Sequence, residues 1–177
     1  LDSGISPMLK HYGPHGNPLG GLNLASVDCG VYDLHAVYLK PFEMVLRHLP
    51  VYAVMSTYNS WNRVPNSASR YLLTDILRNR WGFKGYVYSD WGAIEMLENF
   101  HHTAANKAEA ATQALTAGLD VEASSECYPE LSRLVKEGKL EEAYIDTAVR
   151  RVLTAKFECG LFEDPYGEKY AASGEMH

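Results

Sequence analysis

The sequence predicts an α/β fold built on a parallel sheet, and three observations carry that expectation. Four short apolar runs, at 6–12, 51–57, 86–89 and 119–122, read as strands. A stretch with helical spacing of apolar residues follows each of them. No two consecutive runs lie close enough for a hairpin, so each strand reaches the next by a helical crossover. Four βα units are too few to close an eight-stranded barrel. The chain is therefore a complete small open α/β fold or half of a barrel.

The elements follow in order. Ser6 to Tyr12 is the first strand, ending in Lys10-His11-Tyr12 and running into a loop set by Gly13, Pro14, Gly16 and Pro18 and continuing through Gly20-Gly21 to about Asp28. Val31, Leu34, Tyr38, Phe42, Val45 and Leu46 then follow helical spacing from about 30 to 48, with Asp28 as N-cap and a kink or break expected at Pro41. Val51 to Thr57 is the second strand, apolar enough to be buried on both faces, and Tyr58-Asn59 ends it. A loop at 60–66 carries Trp61, Arg63 and Pro65, and a helix is expected from about Ser67 to Trp81, closed by Gly82. The third strand, Tyr86 to Ser89, is followed by a short helix near 93–100 and an alanine-rich one from about Thr103 to Ala117, stopped by Gly118. Leu119 to Glu122 is the fourth strand. Helices at about 128–137 and 142–159 complete the pattern, with Asp146 a candidate start for the regular part of the last. That helix places Ile145, Val149, Val152, Leu153 and Phe157 on one face, and the tail to His177 reads as linker.

Composition bounds the class. With 177 residues the chain is long enough to bury a sizeable core, and 46% hydrophobic with 21% charged residues is ordinary for a globular protein. A net charge of −6 without a Lys/Arg run argues against a nucleic-acid partner. No apolar run approaches membrane-spanning length and no signal-peptide pattern occurs, so no membrane partner is expected. The chain begins at Leu1 rather than Met, which reads as a processed product or a piece of something longer. Cys29, Cys127 and Cys159 lack ligand spacing and read as buried thiols. His101-His102 reads as a solvated helix end rather than a metal site, and no phosphate-binding glycine loop is present, so neither a metal nor a cofactor is expected.

The chemistry gathers at three strand ends: Lys10-His11, Tyr58-Asn59, and Asp90-Trp91 within the stretch Val87 to Gly92. In a parallel barrel all of them open onto one face. A cation, an imidazole, a phenol, a carboxylate and an indole converging there suit a polyhydroxylated ligand, since charged donors grip hydroxyls, an aromatic face stacks on a sugar ring and a carboxylate can attack an anomeric carbon. Each also has a bland reading: Asp90 as a helix cap, Lys10 as a surface charge, His11 as a satisfied core histidine, Tyr58 and Trp91 as packing.

From Lys10 to Tyr166 the sequence resembles glycoside hydrolase family 3, and within it the C-terminal half of the barrel domain. The residues that carry the resemblance are Lys10-His11-Tyr12 with Gly16, the run Tyr38 to Glu43, and Val54 to Asn59. Leu72 to Arg78 with Trp81 to Gly85, Ser89-Asp90-Trp91, Ala117 to Glu122, and Arg150 through Lys156-Phe157 to Phe162 complete it. Their order and spacing together are specific where each alone is weak.

The resemblance implies half of a TIM barrel over residues 1–166, with 167–177 leading toward an α/β-sandwich domain, and a retaining mechanism on β-linked sugars. Asp90 matches the family's nucleophile, and Lys10 and His11 match the pair that holds sugar hydroxyls. Tyr58 matches the tyrosine beside the nucleophile, Trp91 an indole lining the pocket, and Met55 a pocket-lining position. The partners implied are a carbohydrate substrate together with the other barrel half and the sandwich domain, which supplies the acid/base in most of the family. Asp120 and Glu122 match no acid/base and read as anchors of the last strand. An Asp-x-His pair is absent from 13–24, which disfavours the N-acetylglucosaminidase branch. Trp91 leans toward β-glucosidases, because xylosidase-like members often carry Cys after the nucleophile. A non-catalytic sugar-binding remnant is the competing reading. The family also implies a periplasmic or secreted protein.

Overall fold

The computed structural model of the chain describes residues 6–167. The expected linker at 167–177 therefore lies, but for its first residue, outside the described residues. Three strands, β1 (Met8–Tyr12), β2 (Ala53–Ser56) and β5 (Tyr86–Tyr88), form a parallel sheet in sequential order β1-β2-β5. The expected fourth strand is reduced to a single parallel bridge between Tyr88 and Val121, because both Asp120 and Val121 donate their N–H to the same carbonyl, Val87 O. The register aligns Leu9, Val54 and Val87 across the sheet, and all three belong to the core or pack against it. Their neighbours Met8, Met55, Tyr86 and Tyr88 point to the other face by strand alternation and are only half-buried.

The helical crossovers depart from the expectation in detail. Segment 30–48 is α1 (Val31–Asp33), a wide π turn over Leu34–Tyr38, and α2 (Lys40–His48). Pro41 sits in the first turn of α2, where its missing N–H costs nothing. Segment 66–81 opens as a 3₁₀ turn (Asn66–Ala68) and becomes a π-helix, Tyr71–Arg80, burying Leu72, Leu73, Ile76 and Leu77. The short helix after β5 shrinks to α3 (Met96–Asn99). Next, α4 (Lys107–Ala117) starts four residues later than expected, because Asn106 caps it by accepting from Glu109 N at 3.0 Å. Gly118, at φ 112°, closes it in the left-handed conformation. After α5 (Pro129–Lys136), α6 (Glu142–Glu158) runs unbroken, so Asp146 lies inside it and does not start it.

The loop expected at 60–66 needs a correction, while no hairpin joins the strands of the main sheet. The loop at 60–66 folds into an antiparallel pair, β3 (Ser60–Trp61) and β4 (Val64–Pro65), turned by Asn62 and Arg63 at φ 47° and 71°. Neither turn residue is glycine, so the usual sequence signal for such a turn was missing. This small hairpin leaves the parallel order of the main sheet untouched.

A buried charge cluster ties the sheet to its helices. Arg78, on the π-helix, donates to Gly85 O at 2.9 Å and Gly118 O at 3.3 Å and pairs with Asp120. Asp120 Oδ1 also receives Arg151 Nη1 from α6 at 2.7 Å, and its Oδ2 receives the Val87 N–H at 2.8 Å. One carboxylate thus joins the π-helix, α6 and β5.

Gly85 lies where the chain enters β5 against Tyr52. A Cβ there would stand 2.7 Å from both Phe83 Cζ and the Tyr52 carbonyl carbon. Gly85→Ala in the full-length protein is expected to destabilise it by about 2–3 kcal/mol. A denaturation midpoint unchanged from wild type would show that the two segments can part without cost.

Candidate active site

Asp90 follows β5 at the C-terminal end of the sheet, and its backbone is held from the neighbouring segment. Ser89 N donates to Val121 O at 2.9 Å, Gly92 N donates to Ala123 O at 2.9 Å, and Ser89 Oγ accepts from Ala123 N at 2.8 Å. Gly92 takes φ 69°, which lets the chain turn away directly after Trp91. The carboxylate is therefore presented by a fixed turn. Its Oδ1 accepts the Trp91 N–H at 2.8 Å, and its side chain is 13% exposed.

The structure gathers two of the expected partners around it. His11 Nε2 lies 3.5 Å from Asp90 Oδ2. Burial lowers the His11 pKa; Asp90 pulls it up, while His15 and Lys10 push it down further. At neutral pH the lowered pKa favours the neutral imidazole beside the carboxylate. Tyr58 is the second partner. Burial, and then the neighbouring Asp90, raise its phenol pKa, so it stays protonated beside the carboxylate.

The remaining candidates stand further out. Lys10 is exposed and lines a cavity of about 450 Å³ with His11, His15, Asn17 and Tyr38; among the described residues no ion pair joins it to Asp90. Trp91 contributes its main-chain N–H, while its indole is 70% exposed. Met55 sits half-buried on β2, opposite Tyr88 in register.

Asp120 and Glu122 are occupied elsewhere. Asp120 is in the arginine cluster, and the two Glu122 oxygens accept Cys127 N and Tyr128 N, both at 2.9 Å. Sequence reasoning named His101 but misread its surroundings. Rather than a solvated helix end, its ring is half-buried, and Nε2 bonds the Tyr58 carbonyl at 2.9 Å, fixing the backbone that carries the phenol. The motif patterns held no signal for it.

Burial lowers the pKa of His101 as well. With both His11 and His101 below the ordinary value of 6.5, the unfolded chain binds more protons than the folded one as pH falls past 6.5. Their contribution to stability is full above pH 6.5 and is lost as pH drops through the folded values. Melting temperatures of the full-length protein should fall below pH 6.5, and His101→Gln should flatten that fall. An equal slope in wild type and variant would overturn the expectation.

The geometry belongs to a known context. The family model for the N-terminal domain of glycosyl hydrolase family 3 matches residues 2–155. A periplasmic β-glucosidase of Salmonella typhimurium is 40% identical over 163 residues, covering 92% of this chain and 21% of that protein. A β-xylosidase of Formosa agariphila is 35% identical over 162 residues, covering 87% of this chain and 22% of its own length. The structure of a β-glucosidase from Erythrobacter marinus superposes with a TM-score of 0.91 at 37% identity, over 96% of this chain and 22% of that one. The chain spans about a fifth of the length of these relatives. With the family model running over most of its length, the chain belongs to glycosyl hydrolase family 3.

Proposed function

We propose that this chain is the C-terminal half of a family 3 barrel domain, covering residues 1–166, with 167–177 leading toward an α/β-sandwich domain. Its parent protein is then a retaining hydrolase that removes terminal β-linked glucose from oligosaccharides or glycosides. One observation carries the reading: a fixed carboxylate, Asp90, at the C-terminal sheet edge, with the His11 imidazole 3.5 Å away and the Tyr58 phenol close enough to feel its charge. A carboxylate so placed can attack an anomeric carbon. Tyr58 orients it, His11 and Lys10 bind hydroxyls, and Trp91 and Met55 shape the pocket.

Retention needs a second carboxyl group about 5–5.5 Å from the first, to protonate the leaving oxygen. Asp120 and Glu122 are locked in structural bonds, so the acid/base comes from chain beyond this one. An apolar stripe on α6 agrees with a larger parent: Val149, Leu153 and Phe157 are exposed although their spacing is that of a buried face. The β-xylosidase relative keeps xylose as the second substrate reading. The Salmonella relative, named periplasmic, favours a periplasmic or secreted parent. The described residues contain no helix long and apolar enough to cross a membrane. The test is trapping with a mechanism-based 2-fluoro-sugar on the full-length protein. Label on Asp90 supports the reading; an intact, unlabelled Asp90 in a protein that binds the sugar reverts it to a non-catalytic binding module.

A further inference from the structure

The loop after β1 carries a histidine that none of the site roles above includes. Asn59, fully buried, donates its Nδ2 to Asn23 O at 2.8 Å and Ala25 O at 2.7 Å. Its Oδ1 is therefore the accepting end of the amide. That oxygen faces Thr57 Oγ1 at 2.8 Å and His15 Nδ1 at 2.8 Å, and the hydroxyl and the imidazole are 3.0 Å apart. An amide oxygen brings no proton, so the Thr57 hydroxyl supplies one and His15 Nδ1–H the other. With Nδ1 protonated, the neutral ring carries its lone pair on Nε2. Among the described residues Nε2 has no hydrogen-bond partner. The ring lines the same cavity of about 450 Å³ as Lys10 and His11, and its centroid lies 4.9 Å from that of His11, itself beside Asp90.

We infer that His15 is a substrate-binding residue whose Nε2 accepts a hydrogen bond from a hydroxyl of the bound sugar. The inference rests on the reading of Asp90, Lys10 and His11 as the sugar site. Lys10 offers only donors. A hydroxyl that accepts from an ammonium still has its own proton to place, and an acceptor on the same wall takes it. His15 supplies that acceptor, oriented by Asn59 and Thr57, both buried and already satisfied, so no reorganisation is needed on binding.

The experiment uses the full-length protein with 4-nitrophenyl β-D-glucopyranoside, or the xylopyranoside if that is turned over faster, and its monodeoxy analogues. His15→Asn keeps an N–H donor near Nδ1 for Asn59 and removes Nε2. It should lower kcat/KM about tenfold on the parent glycoside and lose the penalty for one particular deoxy sugar that wild type shows. If His15→Asn does not accumulate folded, His15→Ala, which removes Nε2 without offering another acceptor in its place, carries the same readout. Deoxy penalties identical to wild type in the folded variant reduce His15 to a loop support and overturn the inference. Asp90→Asn separates the two failures. An inert Asp90→Asn beside an indifferent His15 variant sinks this inference alone, whereas an Asp90→Asn protein with wild-type turnover sinks the site reading and this inference with it.

Discussion

Asp90→Asn in the full-length protein is expected to lower turnover by several orders of magnitude while the fold survives. The covalent step requires an anionic oxygen to attack the anomeric carbon, and an amide oxygen is no substitute. The structure argues that the damage stays chemical. An asparagine keeps an oxygen to accept the Trp91 N–H now bonded at 2.8 Å, and the main-chain bonds from Ser89 and Gly92 to 121–123 do not involve the side chain. The melting temperature should therefore hold while kcat collapses. A variant within tenfold of wild type would remove Asp90 from the role of nucleophile.

The second large effect is on stability. Asp120→Ala is expected to cost about 3–5 kcal/mol, because it leaves Arg78 and Arg151 facing each other without their counter-charge. The Arg78 side chain is 8% exposed and that of Asp120 1%, so water screens little of this. Burial already lowers the Arg78 pKa to about 10 and raises that of Asp120, against the pull of the two guanidiniums. The Val87 N–H would lose its partner too, three residues before Asp90, so activity should fall along with stability. Denaturant unfolding of the full-length protein measures the cost. A loss under about 1 kcal/mol would show that the cluster is held by packing.

Much of this was legible in the sequence, for identifiable reasons. Apolar runs as dense as Val51 to Thr57 have few alternatives to a buried strand, so the parallel order followed from periodicity and spacing alone. Asp90 drew attention because it stands at the end of such a run, where a helix cap and a catalytic carboxylate are both open readings. The shortening of the fourth strand was not visible, since it turns on Asp120 and Val121 sharing one main-chain acceptor, Val87 O, 33 and 34 residues away in sequence. The role of His101 escaped for a similar reason. Its partner is a main-chain carbonyl 43 residues away, and carbonyls carry no residue identity for a motif to record. The protonation of His11 was not legible, because burial against the pull of one carboxylate cannot be weighed from sequence neighbours. The hairpin at 60–65 was hidden by a turn of Asn62 and Arg63, which tolerates positive φ without advertising it.

That hairpin also constrains how the protein can vary. Val27 N donates to Ser60 O at 2.8 Å, Asn62 N to Val27 O at 3.2 Å, and Trp61 Nε1 to Cys29 O at 3.0 Å, while Asn62 Oδ1 accepts from Cys29 N. The end of one loop is thereby sewn in register to the beginning of another. Insertions among the exposed residues at 19–23 leave every one of these stitches intact. An insertion between Val27 and Cys29 shifts the register, and only a matching change in the hairpin could restore it. Divergence of the pocket rim is therefore channelled: length can drift in the glycine-rich part of the first loop, while the seam beside Asn59 changes on both sides together or stays as it is.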